Sequence, residues 1–514
     1  MTEEKDFYLQ CLNVLKSNLP LGETFDLVER KMNIGGKDAT CYFIDGLTDG
    51  QKCQLFMAQL YNITEQTMKK VRSSQDFLEI CMPFMDAQTI DETTPQKSYE
   101  KMLPKLYAGL VPMLIEGLDK IIIIDCRGYP LRSIEEPDKE KSLRGAKDGF
   151  GESIMDNVAL IRRRIRDNHL IFKSYNVGEL SKADVAVAYM DNRVNTKLLE
   201  KLDKTLKGIS GYSLEWGSDP TKDKGEKDFQ LGKDRQGEKK DFPKGEQVEE
   251  LAMGDQSLLE SLLKAFNSTG AMNPFPKVRY SQRPDVIAAH INEGKIAIIV
   301  DNSPTVMMIP VSIFEFFQDV DDYYFPKLTG NYFRLLRIIN FVAILFLTPV
   351  YYLFTEYESL TPETLEFFVP KEPFAIPVFW QFILLEIAID ALKLASLNTP
   401  TSLGMSLSVI GALILGEFSI DSGWFISQTI LCMAVVALAA FTQPSIELAY
   451  AMKFWRLTLL IGAALLGVWG IAVAFALGII VIATTKTLSG ESYFFPLVPF
   501  NGRTLKRLIF RTQK

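Results

Sequence analysis

The chain has 514 residues, of which 56 are Lys or Arg and 63 are Asp or Glu, so its formal net charge at pH 7 is −7. This acidic balance argues against general nucleic-acid binding, which needs a net basic surface. Charged residues are dense before Arg334 and sparse from Arg334 onward. The sequence therefore predicts a water-soluble N-terminal part and an apolar C-terminal part.

The six cysteines show neither CxxC spacing nor tight clustering, and the two histidines are His169 and His290. This pattern does not supply the ligands of a zinc site, and we predict no bound metal and no cofactor. The N-terminus lacks a basic segment followed by an apolar core, so we expect no cleavable signal peptide. We expect the N-terminal part to lie in the cytosol with reduced thiols.

Short apolar runs in the N-terminal part predict buried strands that end in turns. They are Ile121–Asp125, Ala183–Met190 and Lys295–Asp301. Helical patterns lie between them, at Asn157–Ile165 and Thr196–Leu206. Strands that alternate with helices indicate α/β domains, and we predict two small ones.

A charged segment, residues 219–250, is rich in Lys, Asp, Glu and Gly and has almost no apolar side chains. It cannot bury enough surface to offset the entropy of ordering the chain. We predict a charged flexible linker at residues 211–256, which is either a solvated inserted loop or a regulatory or docking segment. It separates an N-terminal region with the first α/β domain, residues 1–210, from the second α/β domain, residues 257–333.

Four arginines follow one another within little more than one turn of a predicted helix. They are Arg162, Arg163, Arg164 and Arg166. Such a cluster is typical of a solvated or salt-bridged helix face. The alternative is a contact with a neighbouring subunit or with anionic lipid headgroups, because planar guanidinium groups bind carboxylates and phosphates alike.

Four long intervals of the C-terminal part contain no charged side chain. They are Ile338–Thr355, Leu394–Gly416, Ser422–Ile446 and Leu457–Ala483. A helix over the last interval is long enough to cross a bilayer. We predict an α-helical polytopic membrane domain of about four to five segments at residues 334–490, followed by a basic tail at residues 491–514.

Basic residues near the ends of these segments predict their orientation. Arg334 and Arg337 place the start of the membrane domain on the cytoplasmic side, and the basic tail from Arg503 onward is expected on the same side. Lys453 and Arg456 predict a cytoplasmic turn before one long last helix. With Phe374–Leu392, which contains Glu386 and Asp390, there are five candidate segments. Five segments between two cytoplasmic ends disagree in parity, so we expect one segment to re-enter or to lie along the interface.

One predicted helix face combines three ionisable residues, because Glu386, Asp390 and Lys393 are spaced i, i+4 and i+7. Ionisable groups at membrane depth are costly unless they face water or a partner. The face is therefore a polar surface at the headgroups, the lining of a pore, or an ion pair between helices. Glu417 and Asp421 are either acids at a pore mouth or part of an exposed loop.

Four glycines give the last segment a small-residue surface. They are Gly462, Gly467, Gly470 and Gly478. Small residues permit the close approach that holds membrane helices together. We therefore favour helix packing over pore lining for this surface.

No catalytic motif in the sequence is complete. The GGK sequence at Gly35 lacks the upstream Gly and the downstream Ser or Thr of a phosphate-binding loop. The GES sequence at Gly151 lacks the closing Gly of a nucleophile elbow. We predict that the protein is not an enzyme, and that any transport is passive or coupled to an ion gradient.

The sequence RGAKDGFGESIMDNVALIRRRIRD, from Arg144 to Asp167, resembles a motif of spore germination receptor A-type subunits. Further matches are NPFPKVRYSQRPDV at Asn273, EGKIAIIVDNSP at Glu293, TQPSIELAYA at Thr442 and PLVPFNGR at Pro496. The matches occur in order and extend from Leu106 to Arg511. The chain is therefore identified as resembling this family over most of its length.

The resemblance implies an integral protein of the spore inner membrane, with tandem cytosolic α/β domains and a membrane domain that forms an ion channel during germination. It also implies homo-oligomers on the order of five copies, with monovalent cations as the permeant ions, and membrane lipids and other germination membrane proteins as partners. The members that this chain resembles most are associated with the system that moves dipicolinate with calcium. A secondary transporter and a membrane-anchored scaffold are the alternatives.

Overall fold

A computed structural model describes residues 2–84, 86–92, 94–128, 145–177, 183–209, 273–319, 321–357, 359, 361–370, 374–398 and 419–509. The chain forms two compact units. The N-terminal unit comprises Met1–Lys141, Ala146–Ser268 and Tyr280–Ile309. The helical unit comprises Ser142–Gly145, Thr269–Arg279 and Pro310–Lys514. The predicted linker at residues 211–256 lies outside the described residues.

The first half of the N-terminal unit is a sheet between two helical layers. Its elements are α1 (Thr2–Asn18), β1 (Leu27–Ile34), β2 (Lys37–Ile44), α2 (Gly50–Tyr61), α3 (Glu65–Met68), α4 (Ser74–Cys81), β3 (Ala87–Thr89), α5 (Pro95–Leu106), β4 (Val111–Ile115) and β5 (Ile122–Ile124). The strands pair antiparallel in the order β1-β2-β4-β5-β3. Gly35 and Gly36, both at positive φ, form the two-residue turn between β1 and β2.

Side chains of the strands alternate between the two faces of this sheet. Cys41 of β2 contributes to the core beneath Phe56 and Phe77, whereas its neighbour Tyr42 contributes to the core on the opposite face with Tyr107. This alternation follows from the two-residue period of a strand. Both faces of the first sheet are therefore covered.

The second half contains α6 (Ile154–Arg164), β6 (Leu170–Val177), β7 (Ala183–Met190), α7 (Thr196–Ile209), β8 (Arg279–Ser281), α8 (Pro284–Asn292), β9 (Ile296–Val300) and β10 (Val306–Ile309). Its sheet has the order β6-β7-β9-β10-β8. The three predicted strands correspond to β5, β7 and β9, and the two predicted helices correspond to α6 and α7. The predicted class, two helix-and-strand domains followed by a helical region, is confirmed.

The boundary between the two predicted domains differs from the structure. β7 pairs with β9 from Val185 opposite Val300 to Ala188 opposite Ala297, so strands from before residue 210 complete the second sheet. The second domain therefore begins before α6 rather than at residue 257. The predicted linker interrupts this domain in the sequence instead of preceding it.

A buried ion pair joins the two sheets. The Arg162 and Asp26 side chains are both 0% exposed, and the Arg162 Nε and Nη2 atoms lie 2.7 and 3.0 Å from the Asp26 carboxylate oxygens. The other guanidinium N–H groups donate to the carbonyl oxygens of Asp167 at 3.1 Å and Leu170 at 2.9 Å. The bidentate pair therefore links the segment before β1 to the segment before β6.

Backbone pairing continues this joint. The Phe25 N–H donates to the Phe172 carbonyl oxygen at 3.1 Å, and the Phe172 N–H donates to the Thr24 hydroxyl at 3.0 Å. The Phe172 ring also lies 4.9 Å from the Arg162 guanidinium carbon. These contacts attach the edge strand of the second sheet to the first half of the unit.

This joint corrects the interpretation of Arg162 as a contact with another subunit or with lipid, because its guanidinium is fully buried. Arg164 is partly buried and pairs with Asp148 at 2.5 Å. Arg163 and Arg166 are exposed, and for them the contact remains a prediction.

Removing the guanidinium in Arg162→Ala should destabilise the N-terminal unit by roughly 3–5 kcal/mol, because Asp26 is left charged and unpaired in the core. The matched change Arg166→Ala, at an exposed position, should alter stability by less than about 0.5 kcal/mol. Hydrogen exchange of peptides covering Leu170–Val177, measured on the full chain in detergent, reads out the loss. Equal exchange in the two variants would contradict the role of the Asp26 pair.

The helical unit contains α9 (Asp321–Tyr324), α10 (Lys327–Glu356), α11 (Val378–Asn398), α12 (Ser419–Asp421), α13 (Ser427–Phe441), α14 (Ile446–Leu466), α15 (Val468–Thr484) and α16 (Gly502–Ile509). By length and composition, α10 and α14 are long and apolar enough to cross a membrane, and α13 and α15 are shorter apolar helices. Only five of the large apolar side chains that are exposed among the described residues precede Tyr324. The helical unit therefore presents the apolar surface that lipid or a partner would cover.

The predicted last segment is two helices rather than one. Gly467 adopts φ +61° and separates α14 from α15. A Cβ at Gly470 would overlap the carbonyl oxygen of Gly462, and a Cβ at Gly478 would overlap the Trp455 indole. The two helices form a tight hairpin whose close approach needs these glycines, which confirms their predicted packing role.

Contacts between helices show which way each helix runs. The Gln443 side chain, in the turn before α14, donates to the Arg337 carbonyl oxygen of α10 at 3.4 Å. Gly467, which follows α14, lies beside Tyr357, which follows α10. We call these the Arg337 end and the Gly467 end of the helical unit. α10 and α14 therefore run from the Arg337 end to the Gly467 end, and α15 returns.

α11 and α13 both start at the Gly467 end. Phe382 of α11 packs against Tyr351, near the end of α10, with ring centroids 6.0 Å apart. The Thr429 hydroxyl of α13 donates to the Gln381 side-chain oxygen of α11 at 2.8 Å. Both helices therefore run toward the Arg337 end. The five predicted segments counted α14 and α15 as one, and the division of that segment into two antiparallel helices adds one helix and so changes the parity of the count.

Candidate functional site

Four charged side chains meet between α11 and α14. Arg456 Nη2 lies 2.5 Å from Glu386 Oε2, and Lys453 Nζ lies 3.3 Å from Glu386 Oε1. Lys453 also pairs with Asp390. Glu386 is 7% exposed and Arg456 is 4% exposed. We call these four residues the charge cluster.

Helical spacing and helix direction place these residues together. Glu386 and Asp390 are four positions apart on α11, and Lys453 and Arg456 are three positions apart on α14, so each pair occupies one helix face. The two helices are antiparallel, since Glu386 meets Arg456 and Asp390 meets Lys453. Two acids and two bases give the cluster no net charge.

Pairing makes it feasible to bury these charges between apolar helices. An isolated charge in such a place carries a desolvation penalty of several kcal/mol, which mutual attraction and hydrogen bonds offset only when the partners are close. The members of the cluster do not all use their full hydrogen-bonding capacity, because Asp390 Oδ1 is buried without a hydrogen-bond partner. The Asp390 side chain is also 29% exposed, compared with 9% for that of Glu386. Asp390 is therefore the member whose carboxylate can take a further partner.

The cluster tests the sequence predictions for this region. Glu386 and Asp390 come together as predicted from their spacing, and their partners favour the ion pair between helices over the other two interpretations. Lys453 and Arg456, predicted to mark a turn, lie inside α14 instead. Their three-residue spacing, complementary to that of the two acids, is the signal that could have revealed them.

Lys393 does not join the cluster. Its ammonium lies 5.4 Å from the Phe441 ring centroid and 5.5 Å from the Tyr450 ring centroid, in the range of cation–π contacts. Asp421 is exposed at the end of α12, and Glu417 lies outside the described residues. A pore-mouth role for Glu417 and Asp421 remains a prediction.

A second buried acid anchors the start of α10. Asp322 is 0% exposed and accepts from Arg337 Nη1 at 2.7 Å and from Arg334 Nε at 3.2 Å. Arg337 also pairs with Asp319 at 3.2 Å. Arg334 and Arg337, which predict the orientation of the membrane domain, therefore also fix the segment that leads into α10.

A water-soluble helix-and-strand unit joined to an apolar helical unit with internally paired charges defines a membrane-associated protein with a soluble N-terminal domain. The chain matches the family model described as Bacillus/Clostridium GerA spore germination protein over residues 14–215 and 248–514. It belongs to this family of spore germination proteins, which confirms the family resemblance drawn from its motifs.

Individual relatives match nearly the whole chain. Stage V sporulation protein AF of Bacillus subtilis (strain 168) is 32% identical over 505 residues, which are 97% of this chain and 91% of that protein. Spore germination protein A1 of the same organism is 28% identical over 500 residues, which are 96% of this chain and 92% of that protein. A crystal structure of the N-terminal domain of the A subunit of the Bacillus megaterium spore germinant receptor GerK3 is 22% identical, covers 58% of this chain and 92% of that chain, and has a TM-score of 0.37.

Glu386→Gln and Arg456→Met should each destabilise the helical unit by about 3–5 kcal/mol, because each change leaves a partner charge unpaired between apolar helices. The double variant should recover most of this loss, since Lys453 and Asp390 still pair with each other. Thermal unfolding of the detergent-solubilised chain measures all three variants. Lys393→Met, which removes a charge from α11 outside the cluster, is the control and should cost less than either single change. Losses that simply add in the double variant would contradict the pairing.

Proposed function

We propose that the protein is a subunit of an oligomeric ion channel of the spore inner membrane, which releases monovalent cations passively during germination. Membership of a spore germination family supports the process. The observation that supports channel function is the charge cluster, which is buried between two helices of an otherwise apolar unit. Ionisable groups inside membrane helices are costly to desolvate and therefore rare, and those that occur pair with one another or mark ion pathways.

A single chain is not sufficient for this pathway. Among the described helices, the polar face of α11 is paired with α14, and one polar face cannot enclose water. Several copies arranged around an axis would supply a ring of such faces, on the order of five by family resemblance. The exposed apolar side chains of α11, which include Trp380, Ile387 and Leu394, offer a surface for lipid or for a neighbouring copy.

The cluster gives this channel a closed and an open arrangement. In the closed arrangement Lys453 and Arg456 neutralise both acids of α11. Opening separates α11 from α14 at this level and turns the Asp390 carboxylate toward water, where it attracts cations. Asp390 suits this role because it is the less buried and less satisfied of the two acids.

Family membership supports the remaining parts of the proposal. The N-terminal unit lies in the cytosol, the protein acts with other germination membrane proteins, and ion release is linked to the dipicolinate-release system. The protein is not an enzyme in this proposal. A membrane-anchored scaffold or a secondary transporter would use the same helices without an oligomeric pore.

Asp390→Asn should lower potassium flux through reconstituted protein several-fold while oligomer yield stays at the wild-type level, because Lys453 keeps Glu386 as a partner. Glu386→Gln should lower oligomer yield first, since it strands Arg456. Flux into liposomes and native mass measurement of the same preparations separate the two effects.

Three results would count against this proposal. Unchanged flux in Asp390→Asn would remove Asp390 from the pathway. If the wild-type protein forms oligomers but passes no ions under any of the conditions tested, the scaffold is favoured. If ion flux needs a gradient of a counter-ion and saturates as that gradient increases, the transporter is favoured instead.

A further inference from the structure

Two cysteines that are far apart in the sequence meet in the first half of the N-terminal unit. Cys53 lies in the first turn of α2, and Cys126 follows β5. Both side chains pack in the same apolar core, and each thiol has the largest influence on the pKa of the other. Spacing along the chain does not reveal this pair, because the two cysteines come together only through the pairing of the first sheet.

The backbone holds the two cysteines together independently of the thiol contact. The Cys126 carbonyl oxygen accepts from the Asp49 N–H at 2.8 Å, and the Asp49 carbonyl oxygen accepts from the Cys53 N–H at 2.9 Å. Asp49 also caps α2, since its side chain accepts from the N–H groups of Gln51 and Lys52. The start of α2 is therefore fixed against the segment that carries Cys126.

The two thiols have unequal environments. Cys126 is 3% exposed, whereas Cys53 is only partly buried and therefore accessible to a small reagent. The interaction between them lowers the pKa of the Cys53 thiol and raises the pKa of the Cys126 thiol. The N-terminus of α2 further favours a thiolate at Cys53, while the Asp49 and Asp45 carboxylates oppose it.

The other thiols lack these features. Burial raises the pKa of Cys11, Cys41 and Cys81 to about 12, so these three remain protonated near neutral pH. Cys432 is buried in α13. Cys53 is therefore the one cysteine that combines access with a favoured thiolate, and it has a second thiol in contact.

We propose that Cys53 and Cys126 form a reactive dithiol that low-molecular-weight disulfides oxidise reversibly to an intramolecular disulfide. The Cys53 thiolate attacks one sulfur of the small disulfide, whose S–S bond breaks and releases one small thiolate. Cys126 then loses its proton and attacks the Cys53 sulfur of the mixed disulfide, which releases the second small thiolate. The protein loses two electrons, the small disulfide gains them, and the two cysteine protons pass to the two released thiols.

The reaction would cross-link α2 to the chain as it leaves the first sheet. Thr48 and Arg127 form a backbone bridge beside the pair, and the Gly128 N–H donates to the Leu47 carbonyl oxygen at 3.0 Å. A disulfide at Cys53 and Cys126 would make this junction covalent. Reduction by small thiols would restore the free pair.

The aromatic disulfide 5,5′-dithiobis(2-nitrobenzoate) tests the proposal on the full detergent-solubilised chain without reductant. The wild type should release about two equivalents of thionitrobenzoate in its fast phase and retain no adduct, since Cys126 resolves the mixed disulfide. Peptide mapping should then find Cys53 linked to Cys126. Cys126→Ser should release about one equivalent and retain the adduct on Cys53, and Cys53→Ser should release none in this phase.

Cys41→Ser is the matched control, because it removes a buried thiol from the same core, and it should behave as the wild type. The wild-type measurement tests the proposal by itself, even if a cysteine variant folds poorly. A stable mixed disulfide on wild-type Cys53, a link to any other cysteine, or a fast phase that persists in Cys53→Ser would overturn the proposal.

Discussion

A buried charge must be paired, and this constraint organises the protein at three levels. Arg162 and Asp26 join the two sheets of the N-terminal unit, Asp322 binds two arginines at the start of α10, and Glu386 with Arg456 ties α11 to α14. Each pair bridges two different elements of the chain. The charges therefore specify which elements meet, and apolar burial supplies the bulk of the stabilisation.

Local patterns in the sequence predicted the elements whose character depends on neighbouring residues. The apolar runs at β5, β7 and β9 are buried strands, and the glycines of the last segment are packing positions. Pairing between distant residues could not be predicted, because the sequence of one segment does not specify which other segment it contacts. The domain boundary was misplaced since β7 pairs with β9 across the predicted linker, and Arg162 was misread since Asp26 lies near the N-terminus.

In the candidate site too, the local pattern was predictable and the long-range partners were not. Spacing on α11 identified Glu386 and Asp390 as one polar face, but three interpretations stayed open because the partner helix was unknown. Lys453 and Arg456 were assigned to a turn by their charge, whereas the break in the helix comes later, at Gly467. Glycine at positive φ ends α14 there, and both cations lie on the face of α14 that meets the acids of α11.

In the proposed channel, the charge cluster is the closing contact of a pore that several copies build together. A single-particle reconstruction of the full chain in lipid nanodiscs tests this most directly, because it shows the number of copies and the helix nearest the axis. We expect a closed ring with a central opening and with α11 nearest to it, Asp390 facing the axis. Monomeric particles, or a ring in which α11 lies on the outer, lipid-facing side, would contradict it.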